Sequence, residues 1–486
     1  MAGRAAGSSS PPVPLSVPER GDGVWTGGDD GFPHDPDFPQ LAVATDPAAM
    51  LELFRTHLVP ASGRRVEIDT CVPFRFRCRQ STSRYVLQYT LRLRERGGGG
   101  GGGDERRWEQ SVTGVVDARA GEAERHWRES LASDPRREIP PHWLALEPVG
   151  FIPELAMLVE VFPYDRKLRH LRLVMGGEGL AAAVDSRLLN GWEAGRRVIE
   201  PLRYRTELGA ALRYTVEARH RATGGRATRR CYLKVYRDDR GESTWQLLQR
   251  LSRLHPARAY EVVAPIAYIG ALRTLAIEQA PGTPLLQLLL DGGRDPTDAV
   301  RSVARAVAAF NQDDPGMVTR AHTRADQLAD VRHAARLVNW ACPEVRPVVA
   351  AVTEAVERGL PDVAAAPIHG DLKAEHVFLE TDDERVIFID LDSVALGDPV
   401  RDPAHLWAYL SGGVGLDAVP AARIRAAADA FVEEYFAHVP AGWRARFSLH
   451  CAGTLIEVAS GIFRRQEPAW RDKVITAVER ARQALV

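Results

Sequence analysis

Cysteine is scarce and unpatterned: Cys71, Cys78, Cys231, Cys342 and Cys451 are the only five in 486 residues, they form no CxxC pair, and one is left over from any pairing. That excludes a disulfide scaffold and a cysteine-rich zinc module, and makes the reducing cytoplasm the expected home. An excess of charge is missing too. With 63 Lys and Arg against 64 Asp and Glu the net charge is −1, and the basic residues are dispersed, so nothing draws the chain electrostatically to nucleic acid. No apolar run approaches a membrane span, and the Gly, Ser and Pro rich N-terminus lacks the hydrophobic core of a signal peptide, so no membrane partner is expected. Residues 1–40 read as a flexible tail, and 1–60 as that tail plus a short helix. What is present, 45% hydrophobic content over 486 residues, suffices for two or three cores.

The chemistry is concentrated between Ile368 and Leu406, IHGDLKAEHVFLETDDERVIFIDLDSVALGDPVRDPAHL. Phosphoryl transfer asks for a carboxylate that accepts a hydroxyl's proton, for metal ligands, and for rigid elements that hold both. His369, Gly370 and Asp371 form a sharp turn after a small apolar run, and Asp371 is the candidate base. Val386 to Ile389 reads as a strand after the turn-rich TDDER, so Asp390 falls at its end as the candidate metal ligand.

The order HxD, short loop, strand, IDxD, then GDPxxDxA resembles the aminoglycoside phosphotransferase and choline kinase family, within the protein-kinase-like fold. The resemblance implies ATP and Mg2+, with Mn2+ possible, as cofactors. It implies Asp371 as catalytic base, Asp390 as metal ligand, and Asp398 and Asp402 as braces of the loop and the next helix; plain turn and helix capping is the alternative for the last two. One position departs from the pattern. Where the family places Asn as second magnesium ligand, this chain has His376. Magnesium prefers hard oxygen ligands, so either His376 coordinates a metal or a phosphate with altered metal preference, or the second metal position is weakened. Lys373 is placed as in the HRDLK form of protein kinases, and either reaches the transferring phosphate or points into solvent.

The chain also repeats itself. YVLQYTLRLRERG from Tyr85 is echoed by AALRYTVEARHRATGG from Ala210, and VTGVVDARAGEAERHW from Val112 by YLKVYRDDRGESTWQLL from Tyr232, which sets Gly114 opposite Lys234 and Glu122 opposite Glu242. In a kinase-like chain this unit is the nucleotide-binding lobe. The second copy adjoins the catalytic stretch, and Lys234, within CYLKVYR, stands where the family holds the α- and β-phosphates. Glu242 is then its candidate helix partner. The turn TELGAA offers only Gly209 in place of a glycine-rich phosphate loop, while the main chain of Glu278, Gln279 and Ala280 is expected to meet the adenine edge, with Thr283 as a helix N-cap. The first copy has lost the lysine and carries the glycine run Gly97 to Gly103, which suits no phosphate cradle. Its placement loosely resembles the cap of maltokinases.

The expected fold class is α+β, protein-kinase-like of the aminoglycoside phosphotransferase type. Its expected parts are a degenerate lobe at 61–178, a linker at 179–195, the nucleotide-binding lobe at 196–283 and a helical lobe at 284–486. Helical periodicity over AVRSVARAVAAFNQ, ADQLADVRHAARLVNWA and ARIRAAADAFVEEYFAHV supports the last. Residues 417–486 contain more arginine and lysine than acid, which favours a sugar or amino alcohol over a polycationic aminoglycoside as hydroxyl acceptor; Arg444, Arg446, Arg464 and Arg465 are candidate contacts or solvated helix residues. Transfer to protein hydroxyls is disfavoured by the lack of an APE segment. A pseudokinase-like binding module without transfer is the alternative reading.

Overall fold

A computed structural model describes residues 31–79, 84–95, 105–177, 179–253, 259–380 and 385–486. The glycine run Gly97 to Gly103, residues 1–30 of the expected tail, and 381–384 of the TDDER turn lie outside the described residues. Two compact units emerge. The first holds His34–Gly241 with Ile266–Ala276, the second Glu242–Pro265 with Ile277–Val486 and a short N-terminal piece ending at Pro33.

The duplication read in the sequence is present in the strand order. Val66–Arg79, Arg84–Glu95, Arg106–Asp117, Met157–Val161 and Val149–Ile152 lie side by side in that order. Trp192–Arg205, Gly209–His220, Arg226–Tyr236, Thr274–Glu278 and Pro265–Ile269 repeat it. Each last pair is joined by a 3-10 turn that ends in a left-handed residue, Ala156 and Arg273, both at φ 46°. The repeat also reaches further upstream than the sequence match. Helices Leu41–Ala44 and Pro47–His57 precede the first sheet, and Leu171–Gly176 and Leu180–Leu188 precede the second. In both, a fully buried tyrosine of the second strand bonds this helix pair: the Tyr89 hydroxyl donates to Ala44 O at 2.7 Å and the Tyr214 hydroxyl to Asp185 Oδ1 at 2.9 Å.

These two tyrosines fix the register, and they move the sequence match by one residue. Tyr89 pairs with Val112 and Tyr214 with Cys231; three residues along, Val86 faces Val115 and Ala211 faces Lys234. The counterpart of Lys234 is therefore Val115, not Gly114. Side chains alternate along a strand, so a slip of one exchanges the two faces. A Cβ on Gly114 would lie 2.6 Å from Met157 Sδ and 3.1 Å from the Tyr89 ring, on the face of the helix pair. Val115 instead joins Val86, Leu158 and Ala123 of helix Glu122–Ala132 in one apolar cluster. The first copy has filled with valine the place where the second copy keeps an ammonium. Val115→Lys is accordingly expected to cost about 3 kcal/mol in urea denaturation, since it buries a charge among those side chains; an unchanged midpoint would contradict the register.

The second unit is helical. Helix Phe447–Arg464 buries residues on nearly all sides and packs against Arg324–Ala341, Arg346–Gly359, Arg401–Ser411 and Trp470–Gln483. Two small sheets carry the functional loops. One runs Thr283–Pro284, Val377–Leu379, Val386–Phe388, Glu261–Val262, and the other pairs Ala366–Ile368 with Ala395–Gly397. Thr283 therefore sits in a strand opposite Leu379, and the helix Leu285–Leu290 takes Pro284 as its N-cap. Two details correct the flexible-tail reading for 31–40. Phe32 packs in the second unit, 5.7 Å from the Trp340 ring and 5.6 Å from Phe463, and Phe38 is buried in the first, 4.5 Å from Tyr85. Two phenylalanines with aromatic seats outweigh a glycine-rich composition.

Candidate active site

The turn His369–Gly370–Asp371 leaves strand Ala366–Ile368, and its shape depends on Gly370. The residue lies at φ 77°, and a Cβ there would come within 2.4 Å of Ser393 O. Asp402, fully buried at the start of helix Arg401–Ser411, holds the turn from behind. It accepts from His369 N at 2.7 Å, Gly370 N at 2.9 Å and Asn311 Nδ2 at 2.9 Å. Asp402 thus braces the loop. Asp402→Ala strands two backbone donors and an amide, and is expected to cost about 3 kcal/mol in chemical denaturation.

The Asp371 carboxylate is surrounded by nitrogen. Lys373 Nζ stands 2.8 Å from Oδ1, and His405 Nε2 3.7 Å from the same oxygen. Burial alone would raise the carboxyl pKa, but Lys373, His405 and His376 outweigh it and hold the group at about 2. Lys373 is aimed inward, with its ammonium over the Tyr409 ring at 4.8 Å. His405 stacks on Tyr409 and donates from Nδ1 to Leu372 O at 2.8 Å, and its own pKa falls to about 3 through burial. His405 and Tyr409 were not among the residues singled out in the sequence; the signal was their place one turn and two turns beyond Asp402.

Asp390 follows strand Val386–Phe388 in a left-handed conformation, φ 60° and ψ 48°, which aspartate tolerates better than most residues. His376 is 3% exposed and meets it. The Asp371 carbonyl accepts from His376 Nδ1 at 2.8 Å, so the proton resides on Nδ1 in the neutral ring. Nε2 then turns its lone pair to Asp390 Oδ2 at 3.3 Å. Asp371, His376 and Asp390 each offer one ligand atom, all within 4.8 Å of one another. Two carboxylates and an imidazole suit a divalent metal.

His369 is buried beneath this group, donating from Nε2 to Ile389 O at 3.0 Å while its Nδ1 accepts from Asp371 N at 3.4 Å. Thr244, on the helix Arg240–Leu251, donates to Asp392 Oδ1 at 3.1 Å. Asp398 takes Arg446 through both oxygens, at 2.7 and 3.0 Å, and His450 at 2.9 Å; burial opposes, but these partners hold its carboxyl far below the usual range. Arg446 is therefore spent on an internal acid, as is Arg465 on Glu467, and Arg444 lies over the Phe436 ring.

Lys234 is half-buried on strand Arg226–Tyr236, its side chain on the face opposite the buried Leu233 and Val235. Glu242 is exposed in the first turn of its helix. Gly209 opens its strand, and a Cβ there would lie 2.9 Å from Val235 O. The turn before it is firmly tied within the first unit. Thr206 Oγ1 lies 2.9 Å from Thr113 Oγ1, the Glu207 N–H donates to Asp165 at 2.8 Å, and the Glu207 carboxylate, 1% exposed, receives Arg84 at 2.5 Å. Glu278 and Gln279 are exposed and Ala280 buried; the N–H groups of Gln279 and Ala280 take no partner among the described residues.

Residues 212–445 match the phosphotransferase enzyme family. Among solved structures, the chain is similar to the GDP complex of a wild-type aminoglycoside 2′-phosphotransferase, at 12% identity over 63% of this chain and 98% of that one, TM-score 0.40. It is similar to a macrolide 2′-phosphotransferase from Brachybacterium faecium, at 21% identity over 62% and 98%, TM-score 0.39. An ethanolamine kinase from Plasmodium vivax matches at 9% identity over 66% and 91%, TM-score 0.41. No curated protein matches the chain. The matched residues 212–445 contain Lys234 and the whole Asp371, His376 and Asp390 group, so it is this part of the chain that is similar to the phosphotransferase enzyme family, and the fold is α+β and protein-kinase-like.

Proposed function

We propose that this chain transfers the γ-phosphate of ATP to a hydroxyl of a small molecule, with a sugar or an amino alcohol favoured over an aminoglycoside. The observation that carries the reading is the Asp371, His376 and Asp390 group, with Lys373 against the same carboxylate. Asp371 would orient the acceptor hydroxyl and take its proton. At a pKa of about 2 it is a weak base, which suits a loose transition state in which the hydroxyl loses its proton late. Lys373 would hold Asp371 ionised and face the transferring phosphoryl group. His376 and Asp390 would hold a divalent cation, which supplies charge neutralisation of the phosphate oxygens when bound. Lys234 is proposed for the α- and β-phosphates with Glu242 as its ion-pair partner, Gly209 for a main-chain phosphate contact, and the main chain of Glu278, Gln279 and Ala280 for the base.

The acceptor preference rests on charge. Glu434, Glu467 and Glu479 are each already paired with a cation of the chain, to Arg305, Arg465 and Arg482, which reduces the acid in that region open to a polycation. One observation favours the binding-module reading instead: the turn that should cover the phosphates offers Glu207, committed to Arg84, and not a glycine-rich backbone. ADP release with magnesium or manganese across a panel of sugars, amino alcohols and aminoglycosides decides between them. Acceptor-dependent release is expected with a sugar or amino alcohol. A nucleotide-induced rise in melting temperature with no turnover on any acceptor would favour the binding module, and neither signal would count against both.

A further inference from the structure

The first unit contains a polar pocket of about 390 Å³ that the phosphotransferase chemistry does not use. Its walls include Arg84, Arg119, Arg166 and Lys167, with Asp117, Glu122 and His126 completing them. The pocket lies at the end of the strand pair where Arg84 faces Asp117. Counting five residues back from the two register tyrosines, Arg84 occupies in the first copy the position that Gly209 has in the second. Where the second copy offers a glycine, the first offers a guanidinium.

The charges in this pocket are unevenly satisfied. Arg84 holds Glu207 at 2.5 Å, and Glu122 is taken by Arg125 at 2.6 Å. Arg166 Nε and Glu160 Oε1 form an ion pair at 3.3 Å, and both atoms are buried without a hydrogen-bond partner among the described residues. Burial, then Asp165, raises the Glu160 carboxyl pKa, which weakens its compensation of Arg166. Arg119 and Lys167, both exposed, make no hydrogen bond or ion pair through their cationic groups among the described residues. Helix Glu122–Ala132 starts at the pocket wall behind Gly121, which provides no side-chain cap. Two free cations, a third only partly neutralised and an uncapped helix start converge on a space that fits a small molecule.

We propose that this pocket is a second ligand site, for a small anion bearing phosphate, held chiefly by Arg119, Arg166 and Lys167. Guanidinium forks match phosphate oxygens in pairs, and a pocket of this size excludes a polymer as its main occupant. The proposal stands independently of the acceptor and of catalysis.

The test is calorimetric titration of the full chain with pyrophosphate, without metal and at constant ionic strength, with sodium chloride as the control. Binding is expected in the wild type and in Asp390→Asn, and is expected to weaken about tenfold for each of Arg119→Ser and Lys167→Ser. Both side chains are exposed, so the variants should melt as the wild type does. Equal binding by the double variant and the wild type, weakening by Asp390→Asn but not by the pocket variants, or no pyrophosphate heat beyond the chloride control would each overturn the site.

Discussion

Asp371→Asn is expected to lower acceptor-dependent phosphate transfer by about 10²- to 10⁴-fold, the usual worth of a positioned general base, while leaving the nucleotide-induced thermal shift in place. The amide keeps the size of the carboxylate but cannot take a proton. It also removes the counter-charge of Lys373, 2.8 Å away, so part of the loss should appear as a misplaced lysine. A second readout separates these effects. The Asp371 carboxyl is depressed to about 2 in the folded chain, below its unfolded value near ~4, so it stabilises the fold above about pH 4 and loses that contribution as pH falls toward 2. The stability gap between wild type and Asp371→Asn should accordingly be open at neutral pH and close on acidification. If turnover survives the substitution within a factor of about three, well under the general-base range, another group takes the proton and the assignment fails.

That the same aspartate could be picked out of the bare sequence follows from locality. His369, Asp371, His376 and Asp390 lie within one short stretch, so the elements that bring them together are mostly neighbours in the chain: a left-handed glycine, a 3-10 turn at Ala374–His376 and a three-residue strand. The braces are less visible because they arrive from a distance. Asn311 and Asp402 meet over the His369 turn from two separate helices, and His405 is legible as part of the site only once that helix is placed. The duplicated sheets show the other limit. Sequence similarity found both copies, but it carries no pairing information, and one residue of slippage on a strand is enough to exchange Val115 for Gly114. The turn at Glu207 escaped for the same reason as the braces: a lone glycine is readable, whereas Arg84, Thr113 and Asp165, which fix the turn, come from the other copy. Arginines at 446 and 465 looked available for an acceptor because composition counts charges without showing which are already paired.

The metal preference of the site should follow His376. An imidazole nitrogen binds manganese and later divalent ions more readily than magnesium, which prefers oxygen and geometry close to octahedral. The lone pair on Nε2, directed at Asp390 by the Nδ1 bond to the Asp371 carbonyl, is committed to whatever cation stands there. The wild type is therefore expected to turn over better with manganese than with magnesium. His376→Asn, which installs the oxygen ligand of the family pattern, should move the manganese-to-magnesium ratio toward magnesium by about tenfold or more, within the range by which metal-site changes alter affinity. The same ratio should appear without catalysis, as metal-induced thermal shifts of the two proteins and as loss of nitrogen coupling in the spectrum of bound manganese. His376→Ala should weaken manganese binding without restoring magnesium, because it leaves Asp390 facing an empty position. If the asparagine variant keeps the wild-type ratio and the nitrogen coupling, the histidine is not a ligand, and the lone pair facing Asp390 must be satisfied by a proton instead, which would make the imidazolium a fixed positive charge beside the phosphates.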